Sequence, residues 1–164
     1  RRREPGSIDR LSASVPDVFR LVLEQFATAL CLVDLEGRFL TVNPAACALF
    51  GRTREDLLST TWHELTHPDD LDADLAMMRR VVSGELDTYR LAKRYVQPDG
   101  VVVHGHLTVT GVRDPAGGLV CFASQILDVT GATLSQEAAR IAHAGGLGVV
   151  MDRCLSVELW RLGR

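Results

Sequence analysis

Lysine is almost missing from this chain. Lys93 is the single one among 18 basic residues, and the rest are arginine. We read that skew as coding bias rather than chemistry. Acidic residues number 21, so the formal net charge is -3. There is no basic field for nucleic acid and no polybasic patch for a membrane surface. Cys31, Cys47, Cys121 and Cys154 form no CxxC pair and no metal-ligand spacing, so no zinc or dithiol site is expected. Spread this widely, and without a secretory leader, they are expected as small core hydrophobes in a cytoplasmic setting. No apolar run approaches the length of a membrane span. The first residue is Arg1, as in a piece of a longer protein.

What is present suits one domain with flanking segments. The chain has 164 residues, 46% hydrophobic and 24% charged, enough apolar material for a packed core. Residues 1–14 are charged, broken by Pro5 and Gly6, and read as a tail or linker. Residues 15–28 read as a cap helix with Pro16 in its first turn. Its apolar face is Val18, Leu21, Val22 and Phe26. Residues 29–130 read as the main domain, and 131–164 as a C-terminal extension.

Within the main domain, Ala29–Asp34 and Phe39–Val42 are short apolar strands around a Glu36-Gly37 turn. Asn43 caps a short helix with Pro44 at its first position, and Gly51 ends it. Helical turns follow near Glu55–Leu58 and Trp62–Leu65. Pro68 opens a longer helix whose apolar side is Leu71, Leu75, Met78 and Val82. Asp69, Asp70, Asp72 and Asp74 are expected there as solvated acids favoured by the positive helix end. After Ser83-Gly84 the period becomes two. Three meander strands follow, turned at Pro98-Asp99-Gly100 and at Asp114–Gly118. The result is an α+β fold with a five-stranded antiparallel sheet, short helices and one longer helix on one face.

Several words recur in order: Asp34-Leu35-Glu36-Gly37, Asn43-Pro44-Ala45, Phe50-Gly51-Arg52, His67-Pro68-Asp69-Asp70, Tyr89-Arg90-Leu91, Lys93-Arg94-Tyr95, Pro98-Asp99-Gly100 and Asp128-Val129-Thr130. Over Val15–Thr130 the chain resembles the PAS family. Most of all it resembles the modules that precede cyclic-di-GMP enzymes and histidine kinases in bacteria. The resemblance implies a sensory domain, not an enzyme, with a ligand cavity between sheet and helices and an output linker after Asp128-Val129-Thr130. It also implies homodimers formed through the N-terminal helix and the outer sheet face.

No catalytic constellation stands out. His63-Glu64-Leu65-Thr66-His67 matches the HExxH string of zinc peptidases. Pro68 disfavours helix at His67, so the two histidines are not expected one turn apart on one helix. His104 and His106 share a strand face and read as exposed polar positions. No cofactor is identified. Ser59–His67 has no cysteine, and the long helix has no histidine after its proline. LOV-type flavin and haem are therefore disfavoured by what the resemblance implies.

Gly105 and Gly111 fall on the core side of the second meander strand, where a glycine often marks close approach of another group. One reading is a cavity for a small apolar or aromatic ligand. Its walls are Leu30, Leu32, Phe50, Trp62, Leu75, Met78, Leu107, Phe122 and Ile126. The plainer reading is that Trp62 or the pair Met77 and Met78 fills the gap.

The extension carries a short stripe, Leu134, Ala138 and Ile141. The segment from about Ser135, including Val149–Cys154, is similar to the closing end of CoA-binding Rossmann-like proteins, without their glycine-rich loop. Three functions follow: a ligand-binding sensory module, a homodimerisation module, or a CoA-linked regulator acting through the tail.

Overall fold

The computed structural model describes residues 15–132, with the backbone of 148–151 and 157–160. The tail 1–14, Cys154 and the stripe Leu134, Ala138, Ile141 lie outside the described residues. The element order is α1 (Val15–Gln25), β1 (Ala29–Val33), β2 (Phe39–Val42), α2 (Pro44–Phe50), α3 (Arg54–Leu58), α4 (Trp62–Leu65), α5 (Pro68–Val82), β3 (Thr88–Val96), β4 (Val102–Arg113) and β5 (Leu119–Asp128). The five strands form one antiparallel sheet in the order β2-β1-β5-β4-β3. This is the anticipated α+β fold.

Short polar side chains punctuate the chain. Asp34 Oδ1 accepts from the amides of Glu36 and Arg38 at 3.0 and 2.8 Å, tightening the first hairpin. Gly37 follows at φ 91°. A Cβ there would lie 2.4 Å from His63 Cε1, so both the backbone and the packing require glycine. Thr53 and Asp56 form a reciprocal cap on α3. Asp114 repeats the Asp34 device in the β4–β5 turn.

Alternation along the strands fills the inner layer. Cys31, Val33, Phe39, Tyr89, Tyr95, Val103, Leu107, Val109, Phe122 and Ile126 are buried between the sheet and the helices. Two of the three described cysteines, Cys31 and Cys121, are buried, and burial pushes the Cys31 thiol up to about 12.

Two helix faces differ from expectation. On α1, Leu23 is half-buried toward the sheet, while Phe19, Leu21 and Val22, with Phe26 just past the helix, stay exposed. On α5 the stripe ends on Val81 rather than Val82, and Asp74 sits inside it, buried. Spacings of three and four residues from Leu71 reach Asp74 and then Val81, which explains both shifts. The CoA-like tail expectation also fails. Gly148–Met151 (β6) and Val157–Trp160 (β7) pair antiparallel, not as the closing strand of a parallel sheet.

Candidate functional site: a buried lysine beside a small core cavity

β3 sends Tyr89, Lys93 and Tyr95 inward on alternate positions. α5 presents Asp74 to them. The sole lysine, read from sequence as compositional residue, is a core group: the Lys93 and Asp74 side chains are 2% and 1% exposed. Lys93 Nζ donates to Asp74 Oδ2 and to Thr66 Oγ1, the latter at 2.9 Å. Tyr89 OH donates to Asp74 Oδ1 at 2.5 Å. The Thr66 hydroxyl donates onward to the Trp62 carbonyl at 2.9 Å. Lys93 Nζ also lies 4.8 Å from the Trp62 ring centroid and 4.7 Å from that of Tyr95, within cation–π range.

The electrostatics follow from burial. Loss of hydration lowers the Lys93 ammonium, and Asp74 opposes the fall. Burial first, then the Asp74 charge, pushes the Tyr89 phenol far up, so it stays a neutral donor. Not every polar atom is matched. The Tyr95 hydroxyl and Trp62 Nε1 are buried without a hydrogen-bond partner.

Beside this cluster lies a core cavity of ≈ 30 Å³. Phe50, Trp62, Met78, Leu107 and Ile126 line it as expected, joined by Lys93, Asp74, Tyr89 and Tyr95. The other expected walls do not. Leu30 and Leu32 occupy the opposite strand phase to Cys31 and Val33 and face the outer side of the sheet under α1. Leu75 and Phe122 pack in or against the core without lining the cavity. Gly105 and Gly111 do not open it. A Cβ at Gly105 would lie 2.7 Å from Tyr95 Cε2 and 2.8 Å from Ile126 Cγ2. One at Gly111 would lie 2.8 Å from Val81 Cγ1 and 3.0 Å from Leu119 Cδ1. The glycine space is thus filled, by Tyr95, Ile126, Val81 and Leu119 rather than by Trp62 or the methionine pair.

The cavity is about a tenth of the smallest drug-sized pocket, roughly 300 Å³. The HExxH string is split: α4 ends at Leu65, Thr66 is extended, and His67 caps α5 by accepting from Asp69 N at 3.3 Å. His104 and His106 share the outer strand phase, half-buried and exposed respectively. Among the described residues, no group of three or more His, Cys, Asp or Glu is placed to hold a metal.

A second space, ≈ 310 Å³, lies on the outer face between α1 and the sheet. Phe19, Leu23, Leu30, Leu32 and Ala123 form its apolar wall, rimmed by Arg20, Glu24 and Arg54. Asn43 and Arg54 tie α1 down over it. Asn43 Nδ2 donates to the carbonyls of Leu23, Phe26 and Thr28, and Arg54 Nη1 pairs with Glu24 at 2.6 Å.

An antiparallel five-stranded sheet with one face wrapped by short helices and one long helix defines a class of signalling input modules. The chain belongs to the PAS family, whose profile, described as the PAS fold, matches residues 18–126. It is 37% identical over 139 residues to a probable diguanylate cyclase, DgcE, of Escherichia coli, covering 80% of this chain and 13% of that protein. It is 30% identical over 142 residues to the C4-dicarboxylate transport sensor protein DctS of Rhodobacter capsulatus, covering 83% and 20%. The chain therefore spans a fifth or less of these relatives' length. The PAS domain of a Colwellia psychrerythraea protein superposes with a TM-score of 0.65 at 15% identity, covering 71% of this chain and 98% of that one. The resemblance of the tail to CoA-binding proteins finds no support in these matches.

Proposed function

We propose that this chain is a non-catalytic sensory module, cytoplasmic, that sets the state of an output domain in a longer signalling protein. The observation carrying this reading is the Lys93–Asp74–Tyr89–Thr66 cluster. It joins α5, β3 and the α4–α5 junction across a small cavity, so occupancy or ionisation there shifts elements that pack on one another. The exit after β5 is held to the sheet by Thr130 Oγ1, which accepts from His104 N at 2.9 Å. A change in the core thus has a path to the continuing chain. The test replaces the cluster by apolar groups, Asp74→Leu/Tyr89→Phe/Lys93→Met, which keeps the core packed. Altered hydrogen exchange at α1 and at 128–132 in the folded variant is expected. Exchange altered only in α5 and β3 would overturn the reading.

A second reading, homodimerisation, rests on exposed apolar surface. Phe19, Leu21 and Val22 on α1 and Phe26 just after it are 43–61% exposed, and Leu127 on the outer sheet face is 55% exposed. A second copy laid along α1 would cover them.

A further inference from the structure

α1 bridges the outer face of the sheet without closing on it. Its C-terminal end is fixed: Asn43 holds the carbonyls of Leu23 and Phe26, and Arg54 holds Glu24. The sheet beneath steps down from one edge. One row of cross-strand neighbours runs Thr41, Leu32, Ala123, Thr110, and the next runs Leu30, Gln125, Thr108. The two leucines of β1 are long and half-buried, while Ala123, Thr110 and Thr108 beyond them are short. The helix therefore spans a hollow, and that hollow is the ≈ 310 Å³ space. It reaches the size of small-molecule pockets, about 300 Å³ upward, and shares their make-up of apolar walls with a few polar groups. Water takes roughly 30 Å³ per molecule in the liquid, so the space matches an occupant of about ten non-hydrogen atoms.

The rim fixes the charge of that occupant. Arg20, Glu24 and Arg54 stand around the opening. Glu24 is matched by Arg54 at 2.6 Å, which leaves Arg20 as the positive charge in excess. The Arg20–Asp17 pair is 3.7 Å long, with side chains 71% and 50% exposed, and a pair that open to water holds a guanidinium weakly. A carboxylate brought by an occupant competes for it with two parallel hydrogen bonds. An ammonium group would instead meet two arginines.

We propose that the space between α1 and the outer sheet face is a binding site for an amphipathic monocarboxylate of about ten non-hydrogen atoms, a medium-chain fatty acid in class. The chain lies on Leu30, Leu32 and Ala123 under Leu23, and the carboxylate lies at the rim against Arg20. This size gives an affinity of about 0.1–1 mM. The site lies across the sheet from the Lys93 cluster and does not depend on the core being the input end.

The experiment titrates the 164-residue chain with octanoate, octanol and octylammonium. The methyl NMR signals of Leu30, Leu32 and Ala123 report the outer space, and those of Met78 and Ile126 report the core. Saturable octanoate shifts are expected at the outer methyls, with octanol and octylammonium at least fivefold weaker. Arg20→Glu, at an exposed helix position, weakens octanoate about tenfold and leaves octanol unchanged. Ala123→Leu fills the floor of the hollow and removes binding of both, with folding checked by circular dichroism. The apolar triple variant of the Lys93 cluster keeps octanoate binding. Any of four results overturns the proposal: no saturable shift at the outer methyls, equal binding of octanol or octylammonium, unchanged octanoate binding in Arg20→Glu, or shifts centred on Met78 and Ile126. Nuclear Overhauser contacts from Leu30 and Leu32 to a second copy, or to residues 1–14, that octanoate does not displace would name another occupant and overturn it too.

Discussion

Asn43 ties α1, β1 and α2 together with one side chain. Its Oδ1 accepts from Ala46 N, capping α2, and from Leu30 N, at the head of β1, both at 3.0 Å. Its Nδ2 reaches three carbonyls at the end of α1 and beyond it, the shortest at 2.9 Å. The residue is 3% exposed, so removal leaves buried groups unmatched. Asn43→Ala is expected to cost about 2–4 kcal/mol, a cap plus unsatisfied carbonyls, measured by urea denaturation. Asn43→Asp separates the two roles. It keeps the acceptor and loses the donor, so α2 stays protected while amide exchange in α1 accelerates. Lys93 offers the complementary test. Lys93→Met alone strands Asp74 and is expected to destabilise by about 3–5 kcal/mol, whereas the apolar triple variant stays within about 1–2 kcal/mol of the parent. A single variant as stable as the parent would show that the pair is not held as described.

α5 and β3 are clamped twice, once inside by Asp74 and Lys93 and once at the rim by Asp70 and Arg94. Asp70 accepts from Arg94 N and Nη2 at 2.7 Å each. The Arg94 guanidinium holds its carboxyl below the ordinary 3.8. A lowered folded value means this clamp contributes fully above the ordinary value and is lost as pH falls through the lower one. Thermal unfolding is therefore expected to lose more as the pH falls below the ordinary carboxylate value in the parent than in Asp70→Asn. Parallel curves would remove the clamp. These elements also show what linear sequence reveals. Asn43-Pro44, Thr53 and Gly51 announce helix ends, because caps and turns are chosen by residues adjacent in the chain. The Asp74–Lys93 pair joins residues 19 apart, and no local rule links them. A signal was nevertheless present: an acid in register with Leu71 and Met78, and the one lysine on the same strand phase as Tyr89 and Tyr95. Two opposite charges on inward stripes of packed elements point to a buried pair. The cavity walls were harder to place. Leu30 and Leu32 are apolar, but strand phase assigns the inner face to Cys31 and Val33.

At the scale of the molecule the sheet has two unequal faces. The inner one carries the buried core beside a cavity of ≈ 30 Å³. The outer one is covered by a single helix above a space of ≈ 310 Å³. Apolar exposure on α1 and Leu127 predicts self-association. Light scattering on the full chain is expected to give a dimer that Phe26→Asp or Leu127→Asp weakens at least tenfold without loss of folding by circular dichroism. A parent that stays monomeric at high concentration would leave the outer face to another occupant.

The burial of Lys93 has a consequence for anyone who handles the protein. No other lysine exists in the chain, and this one is sealed inside the core. Apart from the chain's α-amine, amine-directed reagents meet no target while the fold is closed. Slow acylation of a single ε-amine would then act as a clock for opening of the α5–β3 seam. Lysine-based crosslinking maps of any assembly that contains the module would leave it blank.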